Sequence, residues 1–347
     1  CLRAHLLAPP PPPEELAILA ADAAGTDLVL RAAMATTHLH TQSRIAAHGG
    51  YGFYTIGPCG EELLAALALG LRPTDPIALH YRHLGTLVAR QLQRGHGMES
   101  ILLDRARGYC TSTTDPVTAG AHCSLGADPA HDFLVTSTLA SQGPQAVGRA
   151  LAIEHLRGRS RWSDDAISFV SCGDGSVNNS EWLSAINAAE LLAHRRKACP
   201  TLFAISDNGI SISFKTRRWT SRWVEQRLGM RVFRADGTSL PALMRTGTDA
   251  ADYVRTTRQP ATLLISNLPR RFGHAATDRQ SAYLSEAEIG KAVTRDPVAA
   301  AAAAAVHAGV LTEARLLEEY ASIGAAAENA FGTARAEPRE MDVPGLI

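Results

Sequence analysis

The sequence predicts an α/β protein: a doubly wound, mainly parallel sheet with helices on both faces and helical flanks at its two ends. Three observations predict it. The apolar runs "AISFVSC" (166–172), "TLFAIS" (201–206) and "ATLLIS" (261–266) have strand length and are bounded by polar or turn residues, as buried parallel strands are. Between the first two, "EWLSAINAAELLAH" repeats Trp182, Ile186 and Ala189 at helical spacing, which completes a β-α-β unit. "VFRADGTSLPALM" (232–244) then adds a strand, a turn and a helix start.

In chain order, five consecutive prolines, Pro9 to Pro13, predict a stiff extended lead-in over residues 1–26, with no core contribution from residues 1–14. Helical spacing begins at Glu15 and runs to about Ala47. "GGYGFYTIGPCGEE" breaks it with glycine and proline, and another helix is expected from Glu61. Asp296-Pro297 is a helix start, an N-cap followed by proline at the first helical position. Ala299 to Ala305 favour helix by propensity and are expected to pack through a narrow face. "TEARLLEEYASIGAAAENAF" is a further helix. No internal repeat or second core is visible, so residues 27–330 are taken as one domain and 331–347 as a tail or linker.

Composition excludes several classes. Of 347 residues, 46% are hydrophobic and 20% charged, ordinary for a globular chain, and 34 basic residues cancel 34 acidic ones. No global field recruits nucleic acid or an anionic membrane, so phosphate binding must be local. The longest apolar stretches, such as "ELLAALALGL", are too short to span a bilayer. Six scattered cysteines without a Cys-x-x-Cys pair or signal peptide favour reduced, buried thiols in a cytoplasm-like compartment. Only Lys197, Lys215 and Lys291 are lysines, a skew that suggests a GC-rich bacterial genome.

The chemistry is written at two strand ends. "GDG" (173–175) and "DNG" (207–209) each follow an apolar strand of the same β-α-β unit. Either alone is most simply a turn. If the strands are neighbours, Asp174 and Asn208 meet at one sheet edge, and a carboxylate with an amide oxygen suits magnesium. The glycines give a phosphate room, and the helix that starts near Asn179 offers free amides to it. A diphosphate is the implied ligand. A nucleotide-binding Rossmann unit is disfavoured, because no Gly-x-Gly-x-x-Gly follows a first strand.

"GDGSVNN...PTLFAISDNGISIS" resembles the thiamine diphosphate motif as it occurs in alpha subunits of 2-oxo acid dehydrogenases. "FYTIGPCGEE" (53–62), "TDPIALHYRHLGTLVAR" (74–90), "VTSTLASQGPQAVGRALA" (135–152) and "RRFGHAATDRQSAY" (270–283) are similar to further segments of that family, in the same order. The resemblance is to the branched-chain type, and to bacterial chains in which an alpha-like half is fused to a beta-like half. A fused chain would continue past Ile347.

The resemblance implies a thiamine diphosphate-binding fold and assigns roles. Asp174, Asn208 and the Ile210 carbonyl hold Mg2+, with Gly173, Gly175 and Ser176 along the diphosphate, and Asp207 is expected to point away from the metal. Tyr81 and Arg82 match the tyrosine-arginine pair on the diphosphate, and Arg270 or Arg271 matches a loop arginine that reaches it. Ser137 and Leu139 match the aminopyrimidine cradle, and Phe53 and Tyr54 the substrate loop. His274 matches the catalytic histidine, while Ala275 stands where some animal relatives carry a phosphorylatable serine. Ser141 and Gln142 align with a K+ site of some relatives.

Implied partners are a beta-type subunit or domain, a lipoyl-bearing acyltransferase component and a 2-oxo acid, with no nucleic acid and no membrane. In the family the glutamate that activates the cofactor comes from the beta half, so this chain alone is expected to turn over nothing. Pyruvate or acetoin dehydrogenase alpha subunits, and a non-catalytic alpha-like scaffold, are the alternatives.

Overall fold

The computed structural model describes residues 2–339 except 54, 55, 59, 122–124, 137, 227 and 228. In chain order the helices are α1 (Leu2–Leu6), α2 (Pro13–Ala21), α3 (Ala23–His48), α4 (Leu84–Gln93), α5 (Met98–Cys110), α6 (Gln142–His155), α7 (Ser180–His194), α8 (Trp219–Glu225), α9 (Leu240–Thr257), α10 (Glu286–Thr294), α11 (Pro297–His307) and α12 (Glu313–Ala336). The strands are β1 (Ile77–Ala78), β2 (Ser168–Gly173), β3 (Thr201–Ser206), β4 (Ile210–Ser211), β5 (Phe214–Lys215), β6 (Arg231–Asp236) and β7 (Ala261–Ser266). Five strands form one parallel sheet in the order β1-β2-β3-β7-β6, and β4 and β5 form a separate antiparallel hairpin. No described helix is long and apolar enough to cross a membrane.

The alternation of side chains along a strand divides the core in two. Phe169, Leu202, Ala204, Leu263 and Ile265 pack with α3, α4, α5, α9, α11 and α12, while Val170, Cys172, Phe203, Ile205 and Leu264 pack with α6, α7 and α8. Trp182 on α7 is fully buried and meets the Phe203 ring edge-on, 5.6 Å between centroids. Burying side chains of this size contributes about 1.5–3 kcal/mol each. Helices on both faces of a parallel sheet are the predicted architecture.

Four expectations are corrected. The lead-in is not extended to residue 26: Leu2–Leu6 is helical, and the proline run ends at Pro12, from which α2 starts with Pro13 at its first position. Leu2 packs against the core and Leu19 is fully buried, so the core draws on residues 1–14 as well as on α2, and Asp22 caps α3 by accepting from the Gly25 amide at 2.9 Å. The helix expected from Glu61 is a 3₁₀ helix, Glu62–Gly70, because it is buried all round and lends its carbonyls to α4: Thr86 Oγ1 donates to Leu64 O at 2.6 Å and Gln93 Nε2 to Ala68 O at 3.1 Å. The alanine helix packs through more than a narrow face, since Ala301 to Ala305 are all buried. Finally, residue 331 is no boundary. Phe331 and Ala334 are core residues of α12, and Glu337 pairs with Arg107 at 2.8 Å beyond its end.

Candidate active site

Parallel pairing of β2 with β3 sets Gly173 opposite Ser206, so Asp174 and Asp207 leave the sheet side by side at its carboxyl edge, where ligands of open α/β sheets bind. A five-residue 3₁₀ turn, Asp174–Asn178, follows β2, and Asn179 then caps α7. Gly175 is required by close approach: a Cβ there would lie 2.3 Å from Ser211 Oγ on the hairpin. Asp174 is 3% exposed; its Oδ1 accepts from the Gly175 amide at 2.9 Å, while its Oδ2 is buried with no hydrogen-bond partner. Burial, then the neighbouring Asp207 and Glu61 carboxylates, raises its pKa. Asp207 Oδ1 accepts from the Gly209 amide at 3.0 Å, and burial raises its pKa too. A buried carboxylate oxygen left without a partner beside a second carboxylate is what a divalent cation relieves.

Asn208 is oriented by a residue that the sequence reasoning left without a role. Its Nδ2 donates to Glu61 Oε1 at 3.0 Å, and its Oδ1 accepts from the Ile210 amide at 3.1 Å. Glu61 is 1% exposed; burial pushes its carboxyl up, but His83 and Arg82 beside it more than reverse that, to about 2. Gly60 lets this loop reach the neighbouring one, since a Cβ there would meet Pro269 O at 2.2 Å. From that neighbour Arg270 enters, and its Nη1 donates to Ile210 O at 2.7 Å and to Asn208 Oδ1 at 3.4 Å.

A pocket of ≈ 60 Å³ joins these groups to the second half of the site: His80, Tyr81, Arg82, Leu139, Gly173, Asp174, Gly175, Ser176, Asn208, Ile210, Ser211, Ile212, Arg270 and His274 line it. Arg82 Nη1 donates to Gly57 O and its Nη2 contacts His274 Nδ1, both at 2.8 Å. A guanidinium only donates, so Nδ1 accepts and the imidazole proton sits on Nε2. Burial first, then the Arg82 and Arg270 charges, lower the His274 pKa to about 4. The imidazole is therefore neutral near pH 7, a hydrogen-bond donor through Nε2. Asp278 fixes the loop backbone by accepting from the His274 amide at 2.6 Å.

The structure thus gathers Tyr81, Arg82, Leu139, Gly173, Asp174, Gly175, Ser176, Asn208, Ile210, Arg270 and His274 around one pocket. Of the two loop arginines it selects Arg270. Arg271 turns away to pair with Asp296 at 3.1 Å and to lie over the Phe272 ring. Phe53 is not brought to the pocket either: it lies under the Arg339 guanidinium, and its amide donates to Tyr109 O. Ser137 and Tyr54 lie outside the described residues. Gln142 Nε2 donates to Ser171 O at 3.0 Å and Ser141 Oγ to Thr138 O at 2.8 Å, so both candidate K+ residues join α6 to its surroundings. The described cysteines Cys110, Cys172 and Cys199 are free and buried.

Sequence reasoning missed Glu61 and His80. The "GEE" and "HYR" strings carried them, but nothing local says that a buried glutamate will seize an asparagine 147 positions away. Among the described residues no three His, Cys, Asp or Glu side chains group to hold a metal, so an ion beside Asp174 would draw on amide and carbonyl oxygens as well as on that carboxylate. A larger, apolar cavity of ≈ 250 Å³ between α1, α3, α11 and α12 is remote from these groups.

Residues 31–341 match the dehydrogenase E1 component family. The chain is 29% identical over 266 residues to the mitochondrial 2-oxoisovalerate dehydrogenase subunit alpha of Caenorhabditis elegans, covering 73% of this chain and 56% of that protein. It is 27% identical to the mitochondrial 2-oxoisovalerate dehydrogenase subunit alpha 2 of Arabidopsis thaliana over 70% of this chain and 48% of that one. With the 3-methyl-2-oxobutanoate dehydrogenase subunit alpha of Mycobacterium tuberculosis the figures are 26%, 72% and 62%. The chain spans about half the length of the curated relatives it matches.

Proposed function

The chain belongs to the dehydrogenase E1 component family, and from that premise we propose that it is the alpha half of a thiamine diphosphate-dependent 2-oxo acid dehydrogenase of branched-chain type. It decarboxylates the 2-oxo acid and passes the acyl group to lipoyl on an acyltransferase component, together with a beta-type subunit or domain. The setting we propose is a bacterial cytoplasm, on the strength of the cysteine usage and the scarcity of lysine.

The donor set fits the cofactor and its metal. Oxygen ligands alone, from Asp174, Asn208 and the Ile210 carbonyl, suit Mg2+, and the partnerless Asp174 Oδ2 is the observation that carries this reading. Gly175 keeps the space beside Asp174 clear. When bound, the thiazolium supplies the electron sink for loss of carbon dioxide. This chain's residues do the rest of the holding: Arg82 offers guanidinium donors to diphosphate oxygens, and Glu61 keeps the Asn208 oxygen aimed through its amide. Neutral His274, its Nδ1 held by Arg82, would offer its Nε2 proton to an oxygen of the 2-oxo acid. K+ near Ser141 and Gln142 remains part of the proposal.

Decarboxylation of 3-methyl-2-oxobutanoate and pyruvate, measured for the chain alone and with a beta-type partner, tests the reading. The chain alone should turn over neither acid, and the paired enzyme should prefer the branched one by roughly 10- to 200-fold, the range that a few methyl contacts provide. Appreciable turnover by the chain alone overturns the division of labour. Preference for pyruvate favours the pyruvate or acetoin type, and failure of the pair to bind thiamine diphosphate with Mg2+ favours a scaffold.

A further inference from the structure

The oxygens assigned to the metal already carry a cation, and it belongs to this chain. Arg270 is 4% exposed, and its guanidinium converges on the hairpin: Nη1 on Ile210 O at 2.7 Å and Asn208 Oδ1 at 3.4 Å, Nη2 on Ile212 O at 2.9 Å. Two of those three oxygens are proposed metal ligands. A guanidinium and a divalent ion so close repel as like charges, and they crowd the same oxygens, Asn208 Oδ1 accepting from the Ile210 amide as well. Arg271 cannot take over the position, since Asp296 and the Phe272 ring hold it elsewhere. The carboxylates Asp174, Asp207 and Glu61 lie close together here, balanced by Arg270 and by Arg82 against Glu61, while Arg217, Arg218 and Arg295 line a neighbouring cavity to which Asn208, Ile210 and Arg270 also contribute.

We infer that Arg270 is a built-in counter-cation of the unloaded site, holding Asn208 Oδ1 and the Ile210 carbonyl converged and leaving them when the metal enters. The inference rests on the reading that Asp174, Asn208 and Ile210 bind a divalent ion. Metal alone must evict the guanidinium, whereas metal arriving with a diphosphate offers it new acceptors. Metal and diphosphate then strengthen each other's binding without a further protein group.

The test titrates the full chain with Mn2+ alone, following free Mn2+ by electron paramagnetic resonance, in the wild type and in Arg270→Met, which keeps an apolar stem in the buried space. Removing the competing charge should tighten Mn2+ binding about tenfold. Millimolar guanidinium ion should weaken it again in the variant, while the same concentration of Na+ should not. Equal or weaker Mn2+ binding by Arg270→Met overturns the inference. If that variant does not fold, Arg270→Lys serves: a single ammonium cannot span three oxygens, so binding should still be tighter than in the wild type, and weaker binding counts against the idea. Asn208→Ala separates the two levels. If it leaves Mn2+ binding unchanged, the metal reading itself fails; if it abolishes binding while Arg270→Met fails to tighten it, only the counter-cation fails.

Discussion

The two ends of the pocket are built to different degrees of completion. At the metal end, Asp174, Glu61 and Arg270 are 3%, 1% and 4% exposed, and Glu61, Asn208 and Arg270 hold one another through hydrogen bonds that need no other chain. At the outer rim, Leu139 and Ile212 are 37% and 56% exposed, and on the same hairpin and the helix after it Phe214 and Trp219 are 75% and 49% exposed. Exposed apolar side chains that form a continuous patch mark interaction sites. Folding of this chain finishes the diphosphate end, while under the proposed function the exposed rim would be the surface that a beta-type partner covers.

The largest expected effect lies at the finished end. Replacing Asp174 with Ala removes a proposed ligand outright, and metal-dependent thiamine diphosphate binding by the paired protein should fall by more than about 100-fold, since even groups behind a metal's ligands are worth 10- to 100-fold. Calorimetry with and without Mg2+ measures it. A variant that binds as tightly as the wild type would remove the metal from the proposal.

A smaller effect is expected at the unfinished end. Phe214→Ser takes an exposed ring off the hairpin without touching Asn208 or Ile210, so Mn2+ binding by the chain should hold while association with a beta-type partner weakens roughly tenfold or more, as for a buried aromatic at an interface. Sedimentation at several concentrations reads the second quantity. Unchanged association would show that the rim is not the covered face.

The same contrast explains what was legible in the sequence. Strands β2, β3 and β7 and helix α7 were readable because an apolar run or a helical period is a local record of burial. "GDG" and "DNG" could be placed at one edge because parallel neighbours of a β-α-β unit share their carboxyl ends. Glu61 holding Asn208, and Arg270 rather than Arg271 entering the pocket, were not readable, since each depends on where a distant loop passes. The lead-in failed for another reason. Prolines Pro9 to Pro12 do keep the chain from helix, but Pro13 opens α2 instead of prolonging the extended segment, because a proline costs a helix nothing at its first position.

His274 lies where the two ends meet, and its titration gives the smallest signal and a sharp one. Burial, then the charges of Arg82 and Arg270, lower its pKa to about 4 from the usual 6.5. The unfolded chain therefore binds the proton more readily than the folded one between those two values. Stability from this group is full above about pH 6.5 and is lost as pH falls through 4. In the metal- and cofactor-free chain, a nitrogen-15 imidazole titration should show the His274 resonance with Nδ1 unprotonated and a midpoint near 4, and Arg82→Met should move that midpoint upward by removing a facing charge. A midpoint at the ordinary value in the wild type would mean that Arg82 does not hold the imidazole in solution. His274 would then belong with the unfinished rim, awaiting a partner, and the boundary between the two ends would have to be moved to Arg82.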